Sequence, residues 1–382
     1  MHRSIPSLLA LSLLACGEKT PPAAPAADPA PAPVPVMVSL EGEAMGSVIE
    51  IDIRCPVGTE TATCKQAAAD ALAEIQRING IVDAWSNPDG DLGRINASAG
   101  GEAVEVGADT ARMLNAALTV SAASMGAFDV TVGALSGLWD IPGAKLPDAD
   151  VIAERMGLVD WTKVELSGQR VRLADPGMSI ILGGVVKGDA ADMALQVIPA
   201  EMDARIDVGT DLVVRGEWEV EVPLPGATPR LGRFTVRDAA IVTSGTWVPS
   251  TTPGEGYFKQ VVDARSGRLA DGSAVSIVAH PRGVIADALS TTLRVTGSAT
   301  SAVDVLGGWG VAFDADGAAT EVGRRGAIVL DWTAEEIALP APLEPADSGA
   351  EGAAPAEGAA PAEGAAPAEG AAPAEGAPAE QQ

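Results

Sequence analysis

Hydrophobic and polar positions alternate along this chain with two periods, and the switches between them outline a domain of strands and helices. Residues 37 to 55, MVSLEGEAMGSVIEIDIRC, alternate every second position and read as paired strands. Residues 62 to 85, ATCKQAAADALAEIQRINGIVDAW, carry the apolar spacing and Ala/Leu/Glu content of a helix. The same reading gives helices over 110–125 and 189–198, a hairpin from VEL and VRLAD, and strands in DARIDVG and LVVRGEWEVEVP. AVSIVAHP is a strand that leads into a fourth helix, VIADALSTTLRVTG. No regular strand-helix-strand rhythm connects these elements, so the pattern predicts a single α+β domain with mixed or antiparallel sheets and flanking helices.

The ends of the chain follow other patterns. MHRSIPSLLALSLLAC has a positive start, a short apolar stretch and a small residue before Cys16, the layout of a secretory signal too short to span a bilayer as a mature helix. Leu13-Leu14-Ala15-Cys16 is similar to a bacterial lipobox, which places an acyl anchor on Cys16; the alternative is simple cleavage near Ala15. Residues 17–36 form a Pro/Ala spacer, and residues 341–382 carry an acidic EGAAPA repeat with a six-residue period that cannot bury a core. The domain itself is expected over 37–340, lipid-anchored in a bacterial envelope on the extracytoplasmic side.

Composition narrows the chemistry. A net charge of -27 excludes a basic face for nucleic acid, so a phosphate-bearing ligand needs a local device: a metal, a lysine or a helix N-terminus. Beyond Cys16 the only cysteines are Cys55 and Cys64, which suit a local disulfide in an oxidising compartment, with a reduced buried pair as the alternative. His2 lies in the signal, leaving His280 as the one histidine of the mature chain; it rules out a multi-histidine zinc site and reads as a surface residue at a strand end.

Four segments could carry chemistry. Asp287 and Thr291, four apart, share one helix face, as a partial shell for magnesium or as a plain helix-start carboxylate. ILGGVVKGDAAD sets a glycine turn and Lys187 before a helix, suited to a pyrophosphate or to an ordinary tight turn. GAFDVTVGALSGLWD lacks either period and reads as a packed loop; AIVTSGTW reads as a strand ending in a Thr-Ser-Gly turn.

In this order the segments resemble the ApbE family of FAD:protein FMN transferases. Met45-Gly46-Ser47 is like that family's MGT, DLGRIN like SEISRLN, GAFDVTVGALSGLWD like GAFDPTVGPLVNLW, and LGGVVKG like LGGIAKG. VGTD is similar to GGD, VVDARSG to IIDPRTG, and ADALSTTLRVTG to ADALATALFVMG. The resemblance implies FAD as substrate, magnesium as cofactor, transfer of FMN to a Ser or Thr hydroxyl of an exported acceptor protein, and release of AMP. By position it implies magnesium ligands at Asp287, Thr291 and the Gly184 carbonyl. It implies a flavin nucleotide held by Met45, Ala127, Phe128, Asp129, Lys187, Thr243, Ser244, Gly245 and Val262, with Ser86 or Trp85 in place of the family's flavin-facing tyrosine.

One departure bears on the reaction. The family histidine three residues before the aspartate of IIDPRTG is Gln260 here. With Asp287 and Lys187 it completes the implied catalytic set, yet glutamine cannot titrate. The alternatives to an active transferase are therefore a weakened FAD-binding lipoprotein, an FAD pyrophosphatase, or an envelope interaction protein without catalysis.

Overall fold

The computed structural model describes residues 35–82, 87–138, 147–223, 230–245 and 261–333. Cys16, Trp85, Ser86, Gln260 and the repeat tail lie outside these residues.

The long sheet has eight strands: β1 (Val36–Ala44), β2 (Ser47–Cys55), β6 (Asp203–Val208), β7 (Asp211–Arg215), β10 (Ala240–Gly245), β13 (Val275–His280), β14 (Trp309–Phe313) and β15 (Ala319–Gly323), in the order β1-β2-β6-β7-β10-β13-β14-β15. Every neighbouring pair is antiparallel. Helices α1 (Thr61–Val82), α3 (Ala108–Ala123), α5 (Val186–Val197) and α6 (Gly283–Thr296) bury their apolar sides with one face of the sheet, in a core that joins Ile49, Ile51 and Ile53 to Ile206, Val208 and Val278. Small residues dominate where helices meet: Ala190, Ala191 and Ala194 of α5 and Ala286 and Ala288 of α6 are all fully buried, which lets the backbones approach closely.

The opposite face is covered over only part of its width. A small sheet of β8 (Glu217–Pro223), β9 (Arg230–Arg237) and β16 (Val329–Thr333), in the order β16-β9-β8, closes a second core with Leu212, Val214, Ile241, Ile277 and Trp309. Phe234 and Trp332 stack with centroids 6.0 Å apart, and Trp309 meets Trp332 edge-on at 5.5 Å. A strand covered on both faces is buried throughout, as β13 is along its whole length, and its two polar side chains are hydrogen-bonded: the Ser276 hydroxyl donates to the Ser290 carbonyl at 2.7 Å and His280 meets backbone carbonyls. Strands β2 and β6 keep strict alternation, with Glu50, Asp52, Arg205 and Asp207 on the face away from the helical core.

Shorter elements complete the domain: β3 (Val104–Glu105), β4 (Val164–Ser167) and β5 (Arg170–Leu173) form a three-stranded sheet, and β11 (Val262–Asp263) pairs with β12 (Arg268–Leu269). Helices α2 (Asp91–Ala97), α4 (Ala149–Met156) and α7 (Ala302–Leu306) are short. The expected α+β architecture is the observed one. Two local expectations need correction. The TSG residues do not turn: β10 stays extended to Gly245, because Thr243, Ser244 and Gly245 pair with Ile277, Ser276 and Val275 of β13. His280 is not a surface residue: it is 8% exposed, and its ring nitrogens lie 3.2 Å from the Arg282 carbonyl and 3.1 Å from that of Leu306. Burial lowers its pKa.

Cys55, at the end of β2, and Cys64, in the first turn of α1, form a disulfide with Cα atoms 6.0 Å apart. The bond pins the long helix to the strand it packs upon. Constraining a loop of about ten residues contributes roughly 2–3 kcal/mol through the unfolded state. The Cys55→Ala/Cys64→Ala double variant is expected to lose about this amount in urea denaturation, and dithiothreitol should bring the wild type to the same midpoint; a midpoint indifferent to reductant would contradict the assignment.

Candidate functional site

A cleft of about 1150 Å³ gathers segments that are far apart in the sequence. Ser47 and Val48 enter from the start of β2, after a two-residue turn in which Met45 and Gly46 both have positive φ, at 53° and 65°. That mirror-image turn matches the twist of a hairpin and suits glycine at its second position. Met45 donates its backbone N–H to Asn79 Oδ1 of α1 at 3.2 Å and packs against the helical core, so the cleft-lining residues of this turn are its successors.

The segment from Ala127 to Gly137 supplies one wall. Its irregular path is held by side chains in place of a ladder. The Phe128 N–H donates to Ser124 Oγ at 3.1 Å; Asp129 Oδ1 accepts from the Thr131 N–H at 2.8 Å and hydroxyl at 2.6 Å, and Asp129 Oδ2 from the Trp161 N–H at 3.0 Å. Burial raises the Asp129 pKa despite these bonds. With both oxygens engaged, Asp129 organises the loop, while Phe128 presents its ring beside Gly184. A Cβ on Gly184 would sit 2.9 Å from the Phe128 ring and 3.6 Å from Thr291 Oγ1.

The floor is made where α5 and α6 begin. A Cβ on Gly188 would lie 2.2 Å from the Gly283 carbonyl oxygen, and one on Gly283 would lie 2.6 Å from that of Gly188. The two backbones therefore touch at a point where neither can carry a side chain. Asp192 of α5 reinforces the contact by accepting from the Gly283 N–H at 2.7 Å and the Val284 N–H at 3.1 Å, which caps α6 from a neighbouring helix. Burial raises its carboxyl pKa to about 6.

This contact brings together the groups that carry charge. Lys187 Nζ donates to Thr210 Oγ1 at 2.6 Å and is paired with Asp211 Oδ1. The Asp211 side chain is fully buried, and its second oxygen has no hydrogen-bond partner among the described residues. Asp287 accepts from the Gly188 N–H at 3.3 Å. Burial, and then the neighbouring Asp211 charge, push the Asp287 pKa well above the carboxylate range. Burial works against the Lys187 charge, but Asp211 and then Asp287 outweigh it, and its pKa is raised. Two carboxyl groups crowded on a single lysine, one with an unpartnered oxygen, form a site short of positive charge.

Every donor in the cluster is a hard oxygen, and Thr291 adds its hydroxyl from the next turn of α6. Among the described residues no group of three or more His, Cys, Asp or Glu side chains could hold a metal by itself. The oxygens present fit a small dication that takes its remaining ligands from backbone and from phosphate.

Of the residues expected from sequence, Ala127, Phe128, Asp129, Gly184, Lys187, Thr243, Ser244, Gly245, Val262, Asp287 and Thr291 all line this one cleft. Ser244 Oγ lies 2.7 Å from Ser290 Oγ, which ties β10 to α6. His280 lies at the far end of β13 and does not line it. Sequence reasoning gave no role to Asp211, Asp192 or Gly283, although the acid and glycine beside the lysine and aspartate motifs were visible.

Fold and cleft together define an α+β domain with a large cleft over an acid and lysine cluster. The chain belongs to the ApbE family, whose sequence model matches residues 45–305. A protein named FAD:protein FMN transferase from Treponema pallidum is 30% identical over 268 residues, 61% of this chain and 74% of that relative. One of the same name from Rhodobacter capsulatus is 27% identical over 66% of this chain and half of its own length. The ApbE protein of Thermotoga maritima superposes with a TM-score of 0.65 at 22% identity, over 75% of this chain and 96% of that one. The flavin transferase ApbE of Vibrio cholerae gives 0.63 at 19% identity, over 75% and 97%.

The contact between helix starts is testable. Gly188→Ala and Gly283→Ala should each force the helices apart, lowering stability by about 1–3 kcal/mol and weakening flavin nucleotide binding by at least tenfold in fluorescence titration. Unchanged affinity in both folded variants would show that the site does not depend on this approach.

Proposed function

We propose that this chain is a magnesium-dependent FAD:protein FMN transferase, which moves FMN from FAD to a Ser or Thr hydroxyl of an exported protein and releases AMP. The observation that carries the reading is the set of Lys187, Asp287 and Thr291 on the floor of a large cleft, with buried Asp211 paired to Lys187 behind it, in a member of the ApbE family.

The residues divide the work. Asp287, Thr291 and the Gly184 carbonyl would hold magnesium, which when bound supplies charge neutralisation at the phosphates. Lys187, at the second position of α5, offers ammonium protons to the same phosphates while Asp211 fixes its direction. The dipole of α5 adds partial positive charge at its start, where the Gly188 N–H already donates to Asp287. Phe128 and the Val262 hairpin provide apolar walls for the flavin, and the Ser244 to Ser290 hydroxyl pair keeps β10 and α6 in register. Buried and closely placed, these groups stabilise developing charge without reorganising.

A second reading, FAD hydrolysis to FMN and AMP without transfer, is favoured by Gln260 in place of the family's histidine. Purified domain, FAD, magnesium and an exported acceptor separate the two. Transfer gives AMP together with an FMN mass increase on the acceptor, and hydrolysis gives AMP alone. Neither product would overturn both readings. Asp287→Ala is expected to lower AMP release by at least 100-fold, and chelation of magnesium should do the same.

The same reading places the enzyme outside the cytoplasm, tethered through Cys16, with the Pro/Ala spacer giving it reach to acceptors after export. Labelled fatty acid should appear on the wild-type chain and be absent from Cys16→Ser; equal labelling would remove the anchor from the proposal.

A further inference from the structure

Transfer to a hydroxyl requires a group that takes the hydroxyl proton, and the described cleft contains few candidates. Asp129 has both oxygens committed to Thr131 and Trp161. Asp287 and Lys187 belong to the phosphate end. Asp207 remains. It lies on β6 and lines the cleft, and its side chain is about a quarter exposed, at 25%. Its Oδ2 accepts from Arg205 at 3.1 Å, and its other oxygen accepts no hydrogen bond among the described residues. The ladder puts Glu50 of β2 directly opposite, and Glu50 lines the same cleft.

We propose that Asp207 is the proton acceptor of the transfer reaction. The step rests on the transferase reading above. The acceptor hydroxyl oxygen bonds to the phosphorus of the FMN half, and the bond from that phosphorus to the bridging oxygen breaks. Its electron pair leaves with AMP, and the hydroxyl proton passes to the Asp207 carboxylate, which returns it to solvent.

The surroundings of Asp207 suit this work. Burial is the largest influence and raises its pKa; Arg205 lowers it, and Glu50 and then Asp211 raise it again, to about 7. Lys187 of α5 lowers it slightly, while Asp52 of β2 shares the same Arg205. Glu221 of β8 lines the same cleft. A like charge facing it across an antiparallel pair disfavours ionisation. A carboxyl tuned near neutrality is ionised often enough to accept a proton and basic enough to hold it.

The test uses wild type, Asp207→Asn and Glu50→Gln with FAD, magnesium and the exported proteins of the source cells as acceptors. AMP and gel-resolved flavin fluorescence are read across pH. The wild-type rate should fall as pH drops below about 7. Asp207→Asn should lose on the order of 10²–10⁴-fold in rate and lose that acid limb, with FAD affinity within threefold of wild type. Glu50→Gln should move the limb to lower pH, and carboxyl-carbon NMR of the ligand-free protein should show the same downward move for one aspartate. Retained rate and limb in Asp207→Asn, loss of FAD affinity in step with its rate, or a limb and titration unmoved by Glu50→Gln would each overturn the assignment. A wild type that gives neither AMP nor labelled acceptor would instead bring down the transferase reading on which it rests.

Discussion

The site depends on two helices starting against each other with no side chain between them. Gly188 and Gly283 meet backbone to backbone, and that approach sets Lys187 beside Asp211 and Asp287. A methyl group at either glycine would meet the other's carbonyl oxygen at 2.2 or 2.6 Å, so the helix starts would have to move apart. Asp192 holds the contact by capping α6 from α5, so the approach is secured by polar bonds as well as by packing. Side chains crowded this way carry strained electrostatics: Asp287 is driven toward its neutral form and Asp211 keeps an unpartnered oxygen. A site prepared in this manner gains most from a ligand that brings cationic charge.

The cleft owes its character to the partial cover of the long sheet. Where β8, β9 and β16 lie over it, both faces are buried, as β13 shows. Past their edge, β2 and β6 turn Glu50, Arg205 and Asp207 to the open side. One sheet thus supplies a dry wall and an ionisable wall to the same space. This arrangement follows from strand pleat alone, since residues two apart must share a face.

Much of this was legible in sequence. Strand alternation over 37–55 and helical spacing over 62–85 were set by local side chains; the strands appear where expected and the helix runs over Thr61–Val82, with 83–85 outside the described residues. The motifs around Phe128, Gly184, Lys187, Asp287 and Thr291 also converge on one cleft. What escaped depended on pairing between distant segments. The Thr243 to Gly245 stretch looks like a turn because it is small and polar, yet β13 supplies partners that keep it extended. His280 looked exposed beside a proline, but α7 folds back to bury it against the Leu306 carbonyl. Asp192 and Asp211 lie inside the ILGGVVKGDAAD and VGTD motifs, yet their roles show only when the helix and strand ends they serve are brought beside them.

The second core has one more consequence, for the order in which the chain can complete itself. Its aromatic stack draws Phe234 from β9, Trp309 from β14 and Trp332 from β16. Trp332 is separated by about a hundred residues of chain from the strand it covers. During synthesis, Phe234 and Trp309 must wait for the last strand of the described domain before their rings are enclosed. Until then β9 keeps an unpaired edge on the side that β16 takes, the kind of edge that invites pairing with another molecule. Completion of β16 is therefore the event that turns a nearly finished fold into a protected one.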